Sequence, residues 1–92
     1  MIKILLTSLP DPAIRVVRPL PAAVWPNAGE FLALLDDTSI GATGDTLENA
    51  KENLADIVAA KFRLFSRKEN VLSEHLQRQL RMLQGHLAMA GS

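Results

Sequence analysis

The residues of this chain that could perform acid–base or metal chemistry are few and scattered. The sequence holds no Cys, no Tyr and only two His, which excludes thiol catalysis, a disulfide framework and a cysteine-based zinc site. Asp36 and Asp37 are adjacent, but neighbouring residues on a strand point to opposite faces. His75 and His86 would lie about 16 Å apart on one helix, too far to share an ion. We therefore expect no catalytic residue, no cofactor and no metal.

A helix start offers the next candidate site. Residues 43–47, Thr-Gly-Asp-Thr-Leu, resemble a phosphate cradle at a helix N-terminus. The segment lacks the Lys of a phosphate-binding loop, and Asp45 would repel a phosphate. We interpret it as a helix cap, formed either by Asp45 with Glu48 or by Thr46 with Asn49.

Charge is balanced over the chain but unevenly distributed. Residues 1–60 hold four basic and eight acidic residues, whereas residues 61–92 hold six and two. This asymmetry indicates either an acidic part facing a basic partner or charges that complement helix dipoles. The basic cluster has no aromatic residue after Phe65 for base stacking, so we interpret it as a solvated helix face and expect no sequence-specific nucleic-acid binding. It comprises Arg63, Arg67, Lys68, Arg78 and Arg81.

The elements that position these residues begin with strands. Residues 2–7 and 14–18 are apolar or β-branched, and prolines follow both, so either segment is suited to a sheet edge. Residues 26–29, Pro-Asn-Ala-Gly, predict a hairpin loop. The returning strand, residues 30–35, is apolar at almost every position, as expected if helices or a second subunit cover both its faces. A weaker strand follows at residues 39–43.

Helical periodicity governs the rest of the chain. From residue 47 to 65 apolar residues recur at three- and four-residue spacing, which predicts a helix lying on the sheet. A second capping pattern predicts a break at residues 66–70 and a second helix after it, and nothing after residue 58 is typical of a strand. The leucines of this second helix follow a coiled-coil repeat. We expect them to form the interface of a homodimer or higher even oligomer, with intramolecular packing as the alternative. They are Leu76, Leu80, Leu83 and Leu87.

The segment 44–54, Gly-Asp-Thr-Leu-Glu-Asn-Ala-Lys-Glu-Asn-Leu, resembles the helix start of the HicB-like antitoxin family. The order of hairpin and strands before it is also similar, so the resemblance covers about residues 20–65. It implies a β-β-β-α-β unit, packed into dimers, whose sheet and edges cover a small toxin ribonuclease. Residues 36–39 replace the family's Pro-rich stretch, and about 22 residues after Asn70 are too few for a helix-turn-helix. The chain is most similar to the short subgroup without a DNA-binding module.

We therefore expect one α+β domain over residues 1–92, with three to four antiparallel strands covered by a helix and a helical extension over residues 66–92. An N-terminal segment is expected to complete the sheet. The predicted function is a non-enzymatic protein-binding module whose partners are a second copy and a small basic toxin. An orphan assembly domain without a toxin is the alternative. With no apolar run long enough for a signal peptide or membrane span, we expect a cytoplasmic protein and no membrane partner.

Overall fold

The computed structural model describes residues 1–90, which form two helices and six strands. In chain order these are β1 (Ile2–Leu6), β2 (Ile14–Val16), β3 (Leu20–Asn27), β4 (Glu30–Leu35), β5 (Gly41–Gly44), α1 (Leu47–Arg67), a 3-10 turn (Glu69–Val71), α2 (Glu74–Gln84) and β6 (Leu87–Met89). The α+β class predicted from the sequence is confirmed. Gly91 and Ser92, the end of the predicted helical extension, lie outside the described residues.

Four strands form one antiparallel sheet in the order β1-β3-β4-β5. Its register is defined by a row of paired residues that crosses all four strands: Lys3, Ala23, Leu34 and Gly41. The prediction that an N-terminal segment completes the sheet is confirmed. Of the two candidate segments, the first occupies the edge, beside β3.

A two-residue turn joins β3 to β4. Asn27 pairs with Glu30, and between them Ala28 and Gly29 have φ of 52° and 85°. Two consecutive positive φ values characterise the hairpin turn that matches the right-handed twist of the strands. The predicted hairpin is confirmed, although Ala28, which carries a Cβ, occupies a left-handed position that glycine or asparagine adopts more readily.

Helix α1 begins directly on top of β5. Thr46 caps it by accepting a hydrogen bond from the backbone N–H of Asn49 at 3.0 Å, so the second of the two predicted caps is correct. A Cβ on Gly44 would lie 2.8 Å from the Cα of Ala50. The close approach of helix and strand therefore requires a glycine at this position.

The apolar side of α1 packs on one face of the sheet. On β3 and β4, the side chains of Ala22, Val24, Ala33 and Leu35 face the helix and are at most 1% exposed. Their partners on α1 recur at the predicted spacing, which confirms that this helix lies on the sheet. These partners include Ala50, Leu54, Val58 and Phe62.

The C-terminal segment after α1 contains less helix than predicted. Helix α2 begins after the Ser73 cap, stops before Gly85, and is followed by β6, which pairs antiparallel with β2. The expectation that nothing after residue 58 is extended, and that residues 66–92 are wholly helical, is therefore wrong. Strand β2 offers a pairing partner from the distant N-terminal region, and this long-range ladder overrides the local helical periodicity.

Candidate functional site

The leucines predicted to form a dimer interface lie in the chain's own core. Leu80, Leu83 and Leu87 are 1%, 0% and 2% exposed, and Leu76 is partly buried against the same core. Because α2 ends at Gln84, Leu87 belongs to β6 rather than to the helix. Within the single chain these leucines are therefore packed as the intramolecular alternative describes, and the interface through them stays a prediction.

The two histidines do not share a helix, contrary to the geometry assumed from the sequence. His75 lies on α2, where its Nε2 is 3.3 Å from Nε2 of Gln79. His86 follows the end of α2, and its Nδ1 is 3.1 Å from the carbonyl oxygen of Pro19. The two rings therefore contact different parts of the chain and do not form a common site.

The adjacent carboxylates at the end of β4 are also separated. Asp36 forms an ion pair with Lys3 at 3.4 Å, while Asp37 lies in the following turn with a φ of 60°. Within residues 1–90, no group of three or more His, Cys, Asp or Glu side chains is placed to hold a metal ion.

The basic cluster is divided between the two helices. On α1, Arg63 donates to Asp11 at 2.7 Å and ties the loop before β2 to the helix. On α2, Arg78 lies 4.0 Å from Glu74, one helical turn away. The Arg63 and Arg78 side chains are 53% and 66% exposed, so both lie at the solvated helix surface.

Two clefts lie on the helical side of the molecule. One, of about 400 Å³, separates residues 6–10 from α1, and its charged lining comes from α1 alone. The other, of about 480 Å³, lies between the β4–β5 turn and α2. There Gln79, which is 8% exposed, donates from Nε2 to the hydroxyl of Ser39 at 3.2 Å. This contact holds α2 against the turn, and neither cleft pairs a nucleophile with a base.

The side of the sheet opposite α1 presents a different kind of surface. Alternation along the strands places Ala23 and Trp25 of β3 on this side, and each is paired with a leucine of β4. None of its apolar side chains belongs to the core cluster that joins the sheet to the helices. We call this surface the open face. It comprises Lys3, Leu5, Trp25, Leu32, Leu34, Gly41 and Thr43, together with Ala23, which is itself only 3% exposed.

The open face is apolar and flattened. Leu5 is 54% exposed, while Trp25, Leu32 and Leu34 are partly exposed. A methyl of Leu34 would lie 2.7 Å from a Cβ on Gly41, so this side chain spreads over β5. None of these side chains joins the core cluster between the sheet and the helices, and a contiguous, partly exposed apolar patch is typical of an interaction surface.

Polar groups lie at the two ends of the open face. At one end lies Asp36, which forms an ion pair with Lys3 of β1 across the intervening strand β3. Lys3 itself lies on the β1 edge, in the same row as Ala23 and Leu34. At the other end, Asn27 and Glu30 flank the hairpin turn. The apolar side chains of Trp25, Leu32 and Leu34 are therefore bordered by polar groups at both ends and along the β1 edge, as in the polar rim of protein–protein interfaces.

Sequence reasoning did not identify the open face as a site. The available signal was the strand at residues 30–35, whose apolar residues do not alternate with polar ones. The structure covers one face of this strand with α1 and leaves Leu32 and Leu34 on the other. Trp25 and Leu5 carry no such signal, because their placement depends on the register of three strands.

Comparison with known proteins identifies no relative: no family model, curated protein or solved structure matches the chain. Among the described residues, neither helix has the length and apolar character needed to cross a membrane.

Proposed function

We propose that this chain is a non-enzymatic protein-binding module of the HicB-like type and that the open face is its binding surface. The observation that carries the proposal is the partly exposed apolar centre of the sheet around Trp25, Leu32 and Leu34, which lies outside the core cluster. Water contact with such a patch is unfavourable, at about 25 cal/mol per Å² of apolar surface. A partner that covers it gains this free energy.

The partner implied by the resemblance is a small basic toxin ribonuclease, which would place the protein in the cytoplasm. Residues 1–60, which include the whole sheet, hold eight acidic and four basic residues. An acidic surface attracts a basic partner and raises the association rate. The acidic side chains of Glu48, Glu52 and Asp56 lie along the exposed side of α1 and add to this field.

The second candidate is an assembly domain that forms homo-oligomers without a toxin. It is favoured by the composition of the open face, where Lys3 and Asp36 neutralise each other. A neutral apolar surface suits a second copy of the same chain at least as well as a strongly basic protein.

Binding to a small basic protein encoded by a neighbouring gene tests the antitoxin proposal. The purified chain should bind this protein and stop its cleavage of RNA, and L32K should abolish both effects because it places a charge in the centre of the open face. L64K is the matched control, since Leu64 is a 52% exposed leucine on α1. Folding of both variants is verified by circular dichroism.

Inhibition that persists in folded L32K would contradict the role of the open face. If no neighbouring gene encodes a small basic protein, or if the encoded protein does not bind, the antitoxin proposal is contradicted. The assembly domain is then the remaining candidate function.

A further inference from the structure

We infer that the cleft between the β4–β5 turn and α2 binds a free α-amino acid with an apolar side chain. The cleft has a volume of about 480 Å³, and its lining residues belong to the turn and to α2. It is therefore separate from the open face, so the presence or absence of a ligand there leaves the proposed function unchanged.

A buried amide oxygen at this cleft has no hydrogen-bond donor. Gln79 lines the cleft and is 8% exposed. Its Nε2 uses both hydrogens, one toward Oγ of Ser39 at 3.2 Å and one toward Nε2 of His75 at 3.3 Å. Within residues 1–90 no group donates to its Oε1. Because a buried acceptor without a donor is unfavourable, this oxygen favours a ligand that carries N–H groups.

Two opposite charges line the same cleft and do not pair with each other. Within residues 1–90 the Asp37 carboxylate, on the turn, forms no ion pair. Arg78, on α2, lies 4.0 Å from Glu74, and the Arg78 side chain is 66% exposed. Such a contact is weak, which leaves the guanidinium available. An ammonium group is complementary to Asp37 and a carboxylate to Arg78, so the cleft favours a ligand that carries both charges.

Met82 adds an apolar wall. It follows Gln79 by three residues, so both lie on the same face of α2, and it is half-buried against the core. A methionine side chain adapts to apolar groups of different shapes. The volume of the cleft lies within the range of small-molecule sites. An α-amino acid therefore matches the whole lining, with its ammonium toward Gln79 and Asp37, its carboxylate toward Arg78 and its side chain against Met82.

The β4–β5 turn can move aside to admit this ligand to the amide. Asp37 and Ser39 are exposed, and the hydrogen bond from Gln79 to Ser39 holds the turn against α2. A single neutral hydrogen bond contributes little net stability, so the contact can open. Because the ligand is small and the cleft partly open, we expect a dissociation constant of about 0.1–10 mM.

Titration of the ¹⁵N-labelled chain with L-leucine at neutral pH tests the site by NMR. The side-chain amide signals of Gln79 and the backbone N–H signal of Ser39 should shift and reach saturation. Isocaproate lacks the ammonium group of leucine and isoamylamine lacks its carboxylate, so each should bind at least about tenfold more weakly. Signals that do not shift up to about 50 mM L-leucine, or equal binding of either analogue, would overturn the inference.

Variants test which residues hold the ligand. D37N and R78Q should each weaken L-leucine binding at least about tenfold, because each removes one of the two charges. D37N keeps a residue type that adopts the φ of 60° at this position. R81Q is the matched control, since Arg81 is an exposed arginine of α2 that does not line the cleft. Q79M should also lose binding, and circular dichroism verifies the folding of all four variants. Binding that survives in folded D37N and R78Q would contradict the site.

Discussion

Gly44 fixes the position at which α1 crosses β5. A Cβ there would lie 2.7 Å from the carbonyl carbon of Asn49 and 2.8 Å from the Cα of Ala50. These are backbone atoms of a capped first turn, which cannot rotate away as a side chain would. The glycine in the segment 44–54 therefore has a packing role that the sequence motif alone does not explain.

We predict that G44A lowers the free energy of unfolding by about 3 kcal/mol, the upper part of the range for overpacking. The matched control is G85A, because a Cβ at Gly85 would meet only the carbonyl oxygen of Met82, at 3.3 Å. Urea unfolding measures both variants. Equal stability of G44A and the unaltered chain would show that α1 does not rest on β5 at this point.

Asp11 joins the loop before β2 to α1. Its Oδ1 accepts from the backbone N–H of Ala13 at 2.9 Å, and its Oδ2 accepts from Arg63 at 2.7 Å. The Ala13 hydrogen bond, together with Arg63, holds the pKa of Asp11 below its ordinary value of 3.8, although partial burial opposes this shift. Because the pKa is lowered in the folded state, the carboxylate stabilises the fold above the unfolded pKa. This stabilisation is lost as the pH falls through the folded pKa.

We predict that D11N melts at a lower temperature than the unaltered chain at neutral pH, and that the difference disappears in acid below the lowered pKa. R63M should show a smaller loss at neutral pH, because it leaves the hydrogen bond from Ala13 in place. Calorimetry across the acid range measures all three proteins. A difference that is independent of pH would argue against an ionised, hydrogen-bonded Asp11.

At the scale of the elements, α1 carries most of the contact between helix and sheet. Leu54 is fully buried on its sheet side, whereas Leu64, on the same helix, is 52% exposed. We predict that L54A destabilises the fold by about 2–4 kcal/mol, and that L64A costs less than about 1 kcal/mol. Chemical unfolding compares the two. Similar losses would mean that α1 is not oriented as described.

Strand β1 protects the edge of β3. Deleting residues 1–12 would remove β1 and expose the ladder groups of β3 along an apolar strand. An uncovered edge of this kind pairs readily with other chains. We predict that the truncated chain aggregates at concentrations at which the full chain does not, as measured by light scattering. A truncated chain that stays dispersed and retains its melting temperature would contradict this role.

The elements differ in how far local sequence determines them. The hairpin at residues 26–29 and α1 were predictable, because turn residues and periodicity act locally. The edge strand was predictable only as one of two N-terminal segments. Prolines did not decide between them, and β3, which holds Pro21 and Pro26, is an inner strand. Strand β6 was not predictable, because its three residues become extended only by pairing with β2, more than seventy residues earlier in the chain. The same pairing bears on the predicted leucine interface: residues 76–87 have a coiled-coil spacing, but within the single chain their leucines already belong to the core cluster.

At the scale of the whole molecule, all the helical mass lies on one side of a four-stranded sheet. Within residues 1–90 the core lies between the helices and this sheet. The open face is the apolar surface on the other side of the sheet. This arrangement could not be inferred from the sequence, because the face joins residues from strands β1, β3, β4 and β5 and depends on their order. The open face is therefore the surface that we propose for binding.

The emission of Trp25 tests this claim most directly, because the chain has one Trp and no Tyr, so all of the signal at tryptophan wavelengths comes from the open face. We predict that the emission maximum shifts to the blue and that acrylamide quenching falls at least twofold as the chain is concentrated or as the proposed basic partner is added, since either proposed occupant would remove water from Trp25. An emission maximum and quenching that stay constant across the concentration series and after the partner is added would contradict the account.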